Sequence, residues 1–228
     1  MSNGILVRTD TGVDRVGVDN ILSFYDMLSV NSRLSEYLDS IKLSELFTKE
    51  PDLNVLVECI QLCEAETFLE IGTNYGVTTA ILGLVFPELQ IYTIDIPKED
   101  IENADNKVLA FQEWEVLPKA SIGCRIPEDV KIHQLYGDSN NIDNFPTKVR
   151  YDVVFIDGNH SRPSVTSDSI NASVLWNYKK HVVIWHDAQL ESVRNVVKIG
   201  FRKNAWVQGT DCLVYSNQLN VMEYYSEK

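Results

Sequence analysis

The sequence predicts an α/β protein with a doubly wound, mostly parallel sheet of seven strands and a helical cap at the N-terminus. Short apolar runs alternate with helix-like stretches after Pro51, and this alternation is typical of parallel sheets with right-handed crossovers. A glycine-containing loop joins the first run to a helix, and acidic residues follow several later runs. Doubly wound sheets gather ligands at that edge. The expected architecture is therefore Rossmann-like.

Residues 1–50 are predicted to form a hairpin followed by the helical cap. Residues 4–18 have the pattern of two strands around a turn at Asp10–Gly12. Between Asp19 and Phe47 apolar residues recur at helical spacing with a break near Asn31, which indicates two helices. We expect these helices to cover a substrate pocket or to form a homodimer contact, and simple packing helices are an equal alternative.

The second predicted domain, residues 51–228, begins with Pro51 in the first turn of a helix that ends near Cys63. The run at residues 151–156 is apolar enough to be buried on both faces. The predicted strands are 67–71, 89–96, 130–135, 151–156, 181–185, 205–208 and 211–216, the last two forming an antiparallel pair. The predicted helices are 77–84, 99–120, 165–179 and 190–201.

Composition restricts the class of protein. Hydrophobic residues make up 44% of the 228 residues, which is ample for a core, and no run approaches the roughly 20 apolar residues that cross a bilayer. The N-terminus has no signal-peptide pattern, so a cytoplasmic protein is expected. The formal net charge of −13 argues against nucleic acid as the main substrate. The cysteines lack metal-site spacing and are expected to be buried free thiols: Cys59, Cys63, Cys124 and Cys212.

The loop after the first strand of the main domain carries the most informative single motif. The strand breaks at Gly72 and a helix begins after Gly76, which gathers backbone N–H groups at a helix N-terminus. A dinucleotide fingerprint needs Gly-x-Gly-x-x-Gly, but here Glu70 precedes Gly72 and Gly76 with the spacing Glu-x-Gly-x-x-x-Gly. Glu70 would repel a pyrophosphate and attract an ammonium or sulfonium group. The loop resembles motif I of the class I S-adenosyl-L-methionine (SAM) methyltransferases, and an ordinary strand–helix turn is the alternative.

Acids at later strand ends add to this motif. Asp95 lies roughly 20 residues beyond the loop, where nucleotide-binding α/β folds place an acid for the ribose hydroxyls. Asp157 and His160 follow one strand, and His186 and Asp187 follow the next. If those strands are neighbours, their ends lie about 5 Å apart. Carboxylates that close repel unless a proton or a cation lies between them, and a divalent cation is the simplest occupant.

The ordered set of motifs over residues 65–190 resembles the metal-assisted small-molecule O-methyltransferases, including macrolide-sugar O-methyltransferases and, more distantly, catechol O-methyltransferase. The resemblance implies that residues 51–228 bind SAM and that the enzyme methylates a hydroxyl of a small molecule or sugar. No nucleic-acid or membrane partner is expected. The cofactor-binding residues that it implies are Glu70, Gly72, Thr73, Asn74, Tyr75, Gly76, Thr78, Asp95, Ile96, Asp138, Ser139 and Asp157.

The same resemblance implies that Asp157, His186 and Asp187 bind a metal ion and that His160, beside Asp157, is the catalytic general base. The macrolide enzymes have glutamate at the position of His186, and imidazole suits transition metals better than Mg²⁺. The metal would then be Mn²⁺, Fe²⁺ or Zn²⁺. Alternatively, Asp157 and Asp187 hold Mg²⁺ through water, or His186 is structural and no metal binds.

Two other functions remain open on the sequence. One is a SAM-fold protein that binds cofactor without transferring a methyl group. The other is a metal-dependent hydrolase that uses the histidine–aspartate cluster, although this function gives no reason for Glu70, Gly72 and Gly76. Tyr75 and two tryptophans, Trp114 and Trp185, could line an acceptor pocket, but large aromatic residues are usually core.

Overall fold

The structure is a computed structural model that describes residues 5–9, 12–16, 21–41, 48–102 and 116–226. At the N-terminus, β1 (Ile5–Thr9) pairs antiparallel with β2 (Gly12–Val16), which confirms the predicted hairpin. The first two residues of its predicted turn lie outside the described residues. Two helices follow, α1 (Phe24–Val30) and α2 (Ser32–Ser40). Asn31 separates them as predicted, because its side chain accepts a hydrogen bond from the Leu34 N–H and caps α2.

A seven-stranded sheet forms the centre of the molecule, and it confirms the predicted fold class. The strands are β3 (Thr67–Ile71), β4 (Gln90–Asp95), β5 (Ile132–Tyr136), β6 (Val153–Ile156), β7 (Val182–Trp185), β8 (Ala205–Trp206) and β9 (Leu213–Ser216). Their order across the sheet is β5-β4-β3-β6-β7-β9-β8. The first five in this order are parallel, and β9 is antiparallel to both of its neighbours.

The helices cover both faces of this sheet. They are α3 (Glu50–Leu62), α4 (Val77–Val85), α5 (Lys98–Glu102), α6 (Arg162–Leu175), α7 (Glu191–Gly200) and α8 (Leu219–Ser226). α6 ends before the predicted residue 179, because Trp176 is extended and bridges to Tyr151 beside β6. Most of the helix predicted over residues 99–120, with Phe111 and Trp114, lies outside the described residues. None of the described helices has the length and apolarity needed to cross a membrane.

The central strands of the sheet are buried on both faces, which explains why they are continuous apolar runs. In β6, Val153 and Phe155 pack in the core layer under α3, α4 and α8, whereas Val154 and Ile156 pack in the layer under α6 and α7. Successive side chains of a strand point to opposite faces, so one apolar run supplies both layers. The carboxyl ends of the central strands form an edge of the sheet that these helices do not cover.

The C-terminal helix and one cysteine depart from expectation. The sequence analysis did not predict α8, which buries Val221 and Tyr225 against α3. The Tyr225 hydroxyl donates a hydrogen bond to the Glu58 carboxylate at 3.1 Å. Cys59, Cys63 and Cys212 are buried free thiols as expected, whereas Cys124 is exposed, so the prediction is wrong for that residue.

Candidate active site

The turn after β3 is built by close contact between two backbone segments. Gly72 has φ +105°, and a Cβ at this position would lie 2.2 Å from the carbonyl oxygen of Asp157. Its N–H donates to the Ile94 carbonyl at 2.9 Å. Only glycine combines this backbone conformation with this approach, so Gly72 sets the distance between the loops that follow β3 and β6.

The rest of the turn is held from outside by residues 123–126. The Gly123 N–H donates to the Asn74 carbonyl at 2.8 Å, and the Arg125 N–H donates to the Tyr75 carbonyl at 2.9 Å. Gly76, at φ +81°, begins α4, and an added Cβ would lie 2.6 Å from a carbon of Ile126. The turn therefore has a fixed shape before any ligand binds.

Two threonines of the predicted cofactor set direct their hydroxyls into the protein. Thr73 is buried and its Oγ1 lies 2.7 Å from that of Thr93. Thr78 Oγ1 lies 2.8 Å from that of Thr48. The structure thus places both hydroxyls in contacts that brace the turn.

Glu70 lies behind the turn rather than in the open cleft. Its side chain is 1% exposed, and the hydroxyls of Thr79 and Thr93 donate to one carboxylate oxygen. Burial raises the pKa of Glu70 to about 8, and the two threonine hydrogen bonds only partly oppose that effect. Burial therefore favours the neutral form of Glu70 and weakens the negative charge on which the sequence argument relied.

Asp95 ties the loops after β3 and β4 together. Its carboxylate accepts hydrogen bonds from the N–H groups of Asn74 at 2.7 Å and Ile96 at 2.8 Å. Burial raises the pKa of Asp95, while these backbone donors oppose that effect. Each carboxylate oxygen keeps further acceptor capacity, so a ribose hydroxyl could bind Asp95 without displacing either N–H.

A cleft opens at the carboxyl ends of β3, β4, β5 and β6. It is lined by Ile71, Gly72, Ile94, Asp95, Ile96, Gly137, Asp138, Ser139, Asn140, Gly158, Asn159 and Ser164. The structure thereby brings five predicted cofactor residues together around one space: Gly72, Asp95, Ile96, Asp138 and Ser139.

The other lining residues were missed because they contribute shape more than charge. Gly158 and Asn159 lie inside the motif that was singled out only for its aspartate and histidine.

Asp138 also has the capping role that its sequence position allowed, since its Oδ1 accepts from both the N–H and the side-chain amide of Asn140. The Asn171 side chain on α6 donates to the Ser139 carbonyl at 2.8 Å and fixes this edge of the cleft.

Beside the cleft, the four acid and imidazole residues predicted to meet do converge. β6 and β7 are neighbouring parallel strands, so the residues that follow them lie side by side. His186 Nδ1 lies 2.9 Å from Asp157 Oδ1 and 3.2 Å from Asp187 Oδ2. His160 Nε2 lies 2.9 Å from Asp187 Oδ2 and 4.0 Å from Asp157 Oδ1. We call these four residues the acid–imidazole cluster.

Charges within this cluster shift its ionisation. Burial opposes a charge on His186, but Asp157 and the other carboxylates outweigh it and raise the pKa to about 12. Asp157 and the nearer Asp187 raise the pKa of His160 to about 9. Burial would raise the pKa of Asp187, yet the two imidazoles hold it well below its usual range. With no cation bound, a proton on His186 therefore separates the two carboxylates.

Asp52, on the first turn of α3, is a site residue that the sequence analysis missed. Its side chain is 1% exposed, and Oδ2 lies 3.4 Å from His186 Nε2. Oδ1 accepts from the Asp211 N–H at 2.8 Å and from the Cys212 thiol at 3.5 Å. An acid in the first turn of a helix is an ordinary feature, so no sequence pattern singled it out.

Asp168, on α6, is a second buried carboxyl group that the sequence analysis missed. It is 1% exposed, and among the described residues neither of its oxygens has a partner in hydrogen-bond geometry. It lies behind Gly158, and a nearby Ser139 only partly offsets the burial that raises its pKa to about 7. This acid sits directly behind the wall of the cleft.

Comparisons with known proteins agree with this arrangement. A family model described as a methyltransferase domain matches residues 69–188, which include the turn, the cleft and the acid–imidazole cluster. A Staphylococcus aureus protein provisionally described as a caffeoyl-CoA O-methyltransferase is 16% identical, with a TM-score of 0.51 over 83% of this chain and 90% of that chain. The SAH-bound methyltransferase PaMTH1 of Podospora anserina is 10% identical, with a TM-score of 0.50 over 87% of this chain and 90% of that chain. At these identities the structural likeness concerns the fold, whereas the family match reaches the sequence itself. The chain therefore belongs to the methyltransferase family, as its motifs predicted, and it has the fold of the class I SAM-dependent methyltransferases.

Proposed function

We propose that the protein transfers the methyl group of SAM to a hydroxyl of a small molecule or sugar, with the assistance of a divalent cation. One observation carries this proposal: the cleft and the acid–imidazole cluster share a loop. Gly158 and Asn159 line the cleft, and Asp157 and His160 flank them in the chain and belong to the cluster. A cofactor in the cleft would have its reactive end beside a base and two acids.

The cleft suits each part of the cofactor. The turn from Gly72 to Gly76 leads into α4, whose first N–H groups and positive dipole end would favour the carboxylate of the methionine moiety. The carboxylate of Asp157 beside the turn favours the ammonium and sulfonium charges, whereas the buried Glu70 does so only in its ionised form. Asp95 would accept from the ribose hydroxyls, and the loop of Asp138 and Ser139 would contact the adenine.

The cluster fits a divalent cation. Asp157, His186 and Asp187 each offer one ligand atom, and these atoms lie within 4.8 Å of one another. Metal–ligand bonds of roughly 2.1 Å separate adjacent ligands by about 3 Å, close to the 2.9 and 3.2 Å found from His186 Nδ1 to the two carboxylates. A cation bound there would act as a Lewis acid that lowers the pKa of the acceptor hydroxyl.

His160 is the proposed base. Its side chain is 33% exposed beside the cleft, but Nε2 is buried 2.9 Å from Asp187, so the ring must turn before an acceptor reaches that nitrogen. The two carboxylates that raise its pKa to about 9 are also the proposed cation ligands. Their engagement by a cation would lower that pKa toward the ordinary value near 6.5. His160 then takes the hydroxyl proton, the acceptor oxygen forms a bond to the methyl carbon, and the C–S bond breaks to leave S-adenosylhomocysteine.

The experiment has two stages. Calorimetry on the full chain should show SAM binding, and incubation with a panel of sugars, phenols and polyketide alcohols should then release S-adenosylhomocysteine with at least one acceptor. After treatment with a chelator the release should fall and should return on addition of Mn²⁺. Absence of SAM binding would overturn the proposal and favour a hydrolase. Binding without release for any acceptor would favour a cofactor-binding protein. Release that resists the chelator would overturn the assistance of a cation.

A further inference from the structure

The two nitrogens of His186 face different carboxylates on different elements. Nδ1 faces Asp157 and Asp187, which follow β6 and β7. Nε2 is buried and has no partner in hydrogen-bond geometry among the described residues; Asp52 Oδ2, on α3, lies 3.4 Å away. A buried ring N–H needs an acceptor, and Asp52 supplies the carboxylate that faces it.

We infer that Asp52 is a positioning residue that holds His186 with Nδ1 toward Asp157 and Asp187, and so makes this site prefer a transition-metal ion such as Mn²⁺, Fe²⁺ or Zn²⁺ over Mg²⁺. This inference rests on the proposed cation site. It goes beyond that proposal because it assigns the choice of ion to a residue outside the cluster.

The argument begins with the imidazole. A neutral imidazole has one N–H and one lone pair, so the nitrogen that binds a metal leaves the proton on the other. Metal-binding histidines almost always donate that second N–H to a carboxylate, a carbonyl or water, which fixes the ring and increases its basicity. Asp52 faces Nε2, so the lone pair falls on Nδ1, the nitrogen that points at both acids of the cluster.

Neither partner is free to rearrange. Asp52 is 1% exposed, and its other oxygen is held by the Asp211 N–H and the Cys212 thiol. His186 is 6% exposed and packs edge-on against Phe155, with ring centroids 5.9 Å apart. A ring fixed in this way offers a nitrogen ligand where Mg²⁺ would prefer oxygen or water.

The test measures metal binding rather than turnover. Titration of the full chain with Mn²⁺ should show one site, and Asp52→Asn should weaken it by roughly 10- to 100-fold, the usual effect of losing such a partner. Asp152→Asn is the matched control, because Asp152 is also buried and also accepts backbone N–H groups, at Glu66 and Thr67, but does not contact the cluster. Asp152→Asn should leave the Mn²⁺ affinity unchanged.

Two further measurements keep the inference testable if Asp52→Asn does not fold. Pulsed electron paramagnetic resonance of the wild-type Mn²⁺ complex should show coupling to a directly bound nitrogen. His186→Glu should lower the ratio of Mn²⁺ to Mg²⁺ affinity. Where Asp52→Asn does fold, it should no longer weaken binding in the His186→Glu background, because Asp52 would then face a carboxylate.

Each result decides something. Equal Mn²⁺ affinity for wild type and Asp52→Asn, or a Mn²⁺ spectrum without nitrogen coupling, would overturn the role of Asp52 and leave the methyltransferase proposal intact. A wild-type protein that binds no cation would overturn both this inference and the metal assistance. Calorimetry with SAM on the same sample would then show whether the protein still binds the methyl donor.

Discussion

The two halves of the site, the cleft and the acid–imidazole cluster, are formed by different parts of the polypeptide. The cleft beside Gly72 is formed by backbone segments in close contact, with side chains such as those of Thr73 and Thr78 turned inward as braces. The acid–imidazole cluster is formed by charged side chains, whose pKa values depend on one another. The first half is sensitive to added volume, and the second is sensitive to changed charge. The predictions below test that contrast.

The largest effect is expected at the backbone half. Gly72→Ala should abolish measurable SAM binding and lower the melting temperature, because its Cβ would meet the Asp157 carbonyl at 2.2 Å. Gly209→Ala is the control, since Gly209 also has positive φ, at +80°, but an added Cβ there has nothing within 4 Å. It should show only the conformational cost of about 1 kcal/mol. Unfolding and SAM calorimetry measure both, and normal SAM binding by Gly72→Ala would contradict a backbone-built cleft.

At the charged half we expect a loss of rate without a loss of fold. His160→Ala should reduce methyl transfer by roughly 10²- to 10⁴-fold, the usual contribution of a general base, and should leave SAM affinity unchanged. His133→Ala, which removes a histidine that stacks on Tyr92 away from the cluster, should leave the rate unchanged. Single-turnover release of S-adenosylhomocysteine measures the difference. Unchanged turnover by His160→Ala would mean that another group is the base.

Asp168 lies behind the loop that joins the two halves, and its effect should depend on pH. Its folded-state pKa of about 7 is raised above the ordinary value of 3.8. The contribution of Asp168 to the free energy of unfolding is therefore fully present below about pH 4 and is lost as the pH rises through 7. We expect the wild type to lose on the order of 1 to 3 kcal/mol of unfolding free energy between pH 5.5 and 8 from this group, and Asp168→Asn to lose less. Urea unfolding at both pH values measures the change in unfolding free energy, with a variant of the exposed Asp143, Asp143→Asn, as control. Equal pH dependence for wild type and Asp168→Asn would show that Asp168 does not titrate in this range.

The smallest effect concerns a brace of the turn. Thr78→Val removes the hydroxyl that lies 2.8 Å from Thr48 and should lower the unfolding free energy by about 1 kcal/mol. SAM affinity should change little, because this hydroxyl is directed away from the cleft. A large loss of affinity with unchanged stability would instead assign Thr78 a direct cofactor contact.

Much of the fold was predictable because its signals are local. Apolar runs of strand length, helical periodicity and Pro51 at a helix start predicted the sheet and most helices to within a few residues. The missed α8 lies in a segment whose apolar face is short, and it is stabilised by α3, a distant part of the chain. The end of α6 was misplaced for a similar reason, since the bridge between Tyr151 and Trp176 is a tertiary contact.

The sequence by itself determined where the candidate site lies. The glycine spacing at Gly72 and Gly76 and the acids at strand ends are features of single segments, and parallel strands bring their ends to one edge. Only the tertiary structure decided the contacts, the burial and the pKa shifts of those groups. The raised pKa of Glu70, the placement of Asp52 against His186 and the burial of Asp168 depend on which elements pack together, because desolvation and charge act through space and not along the chain.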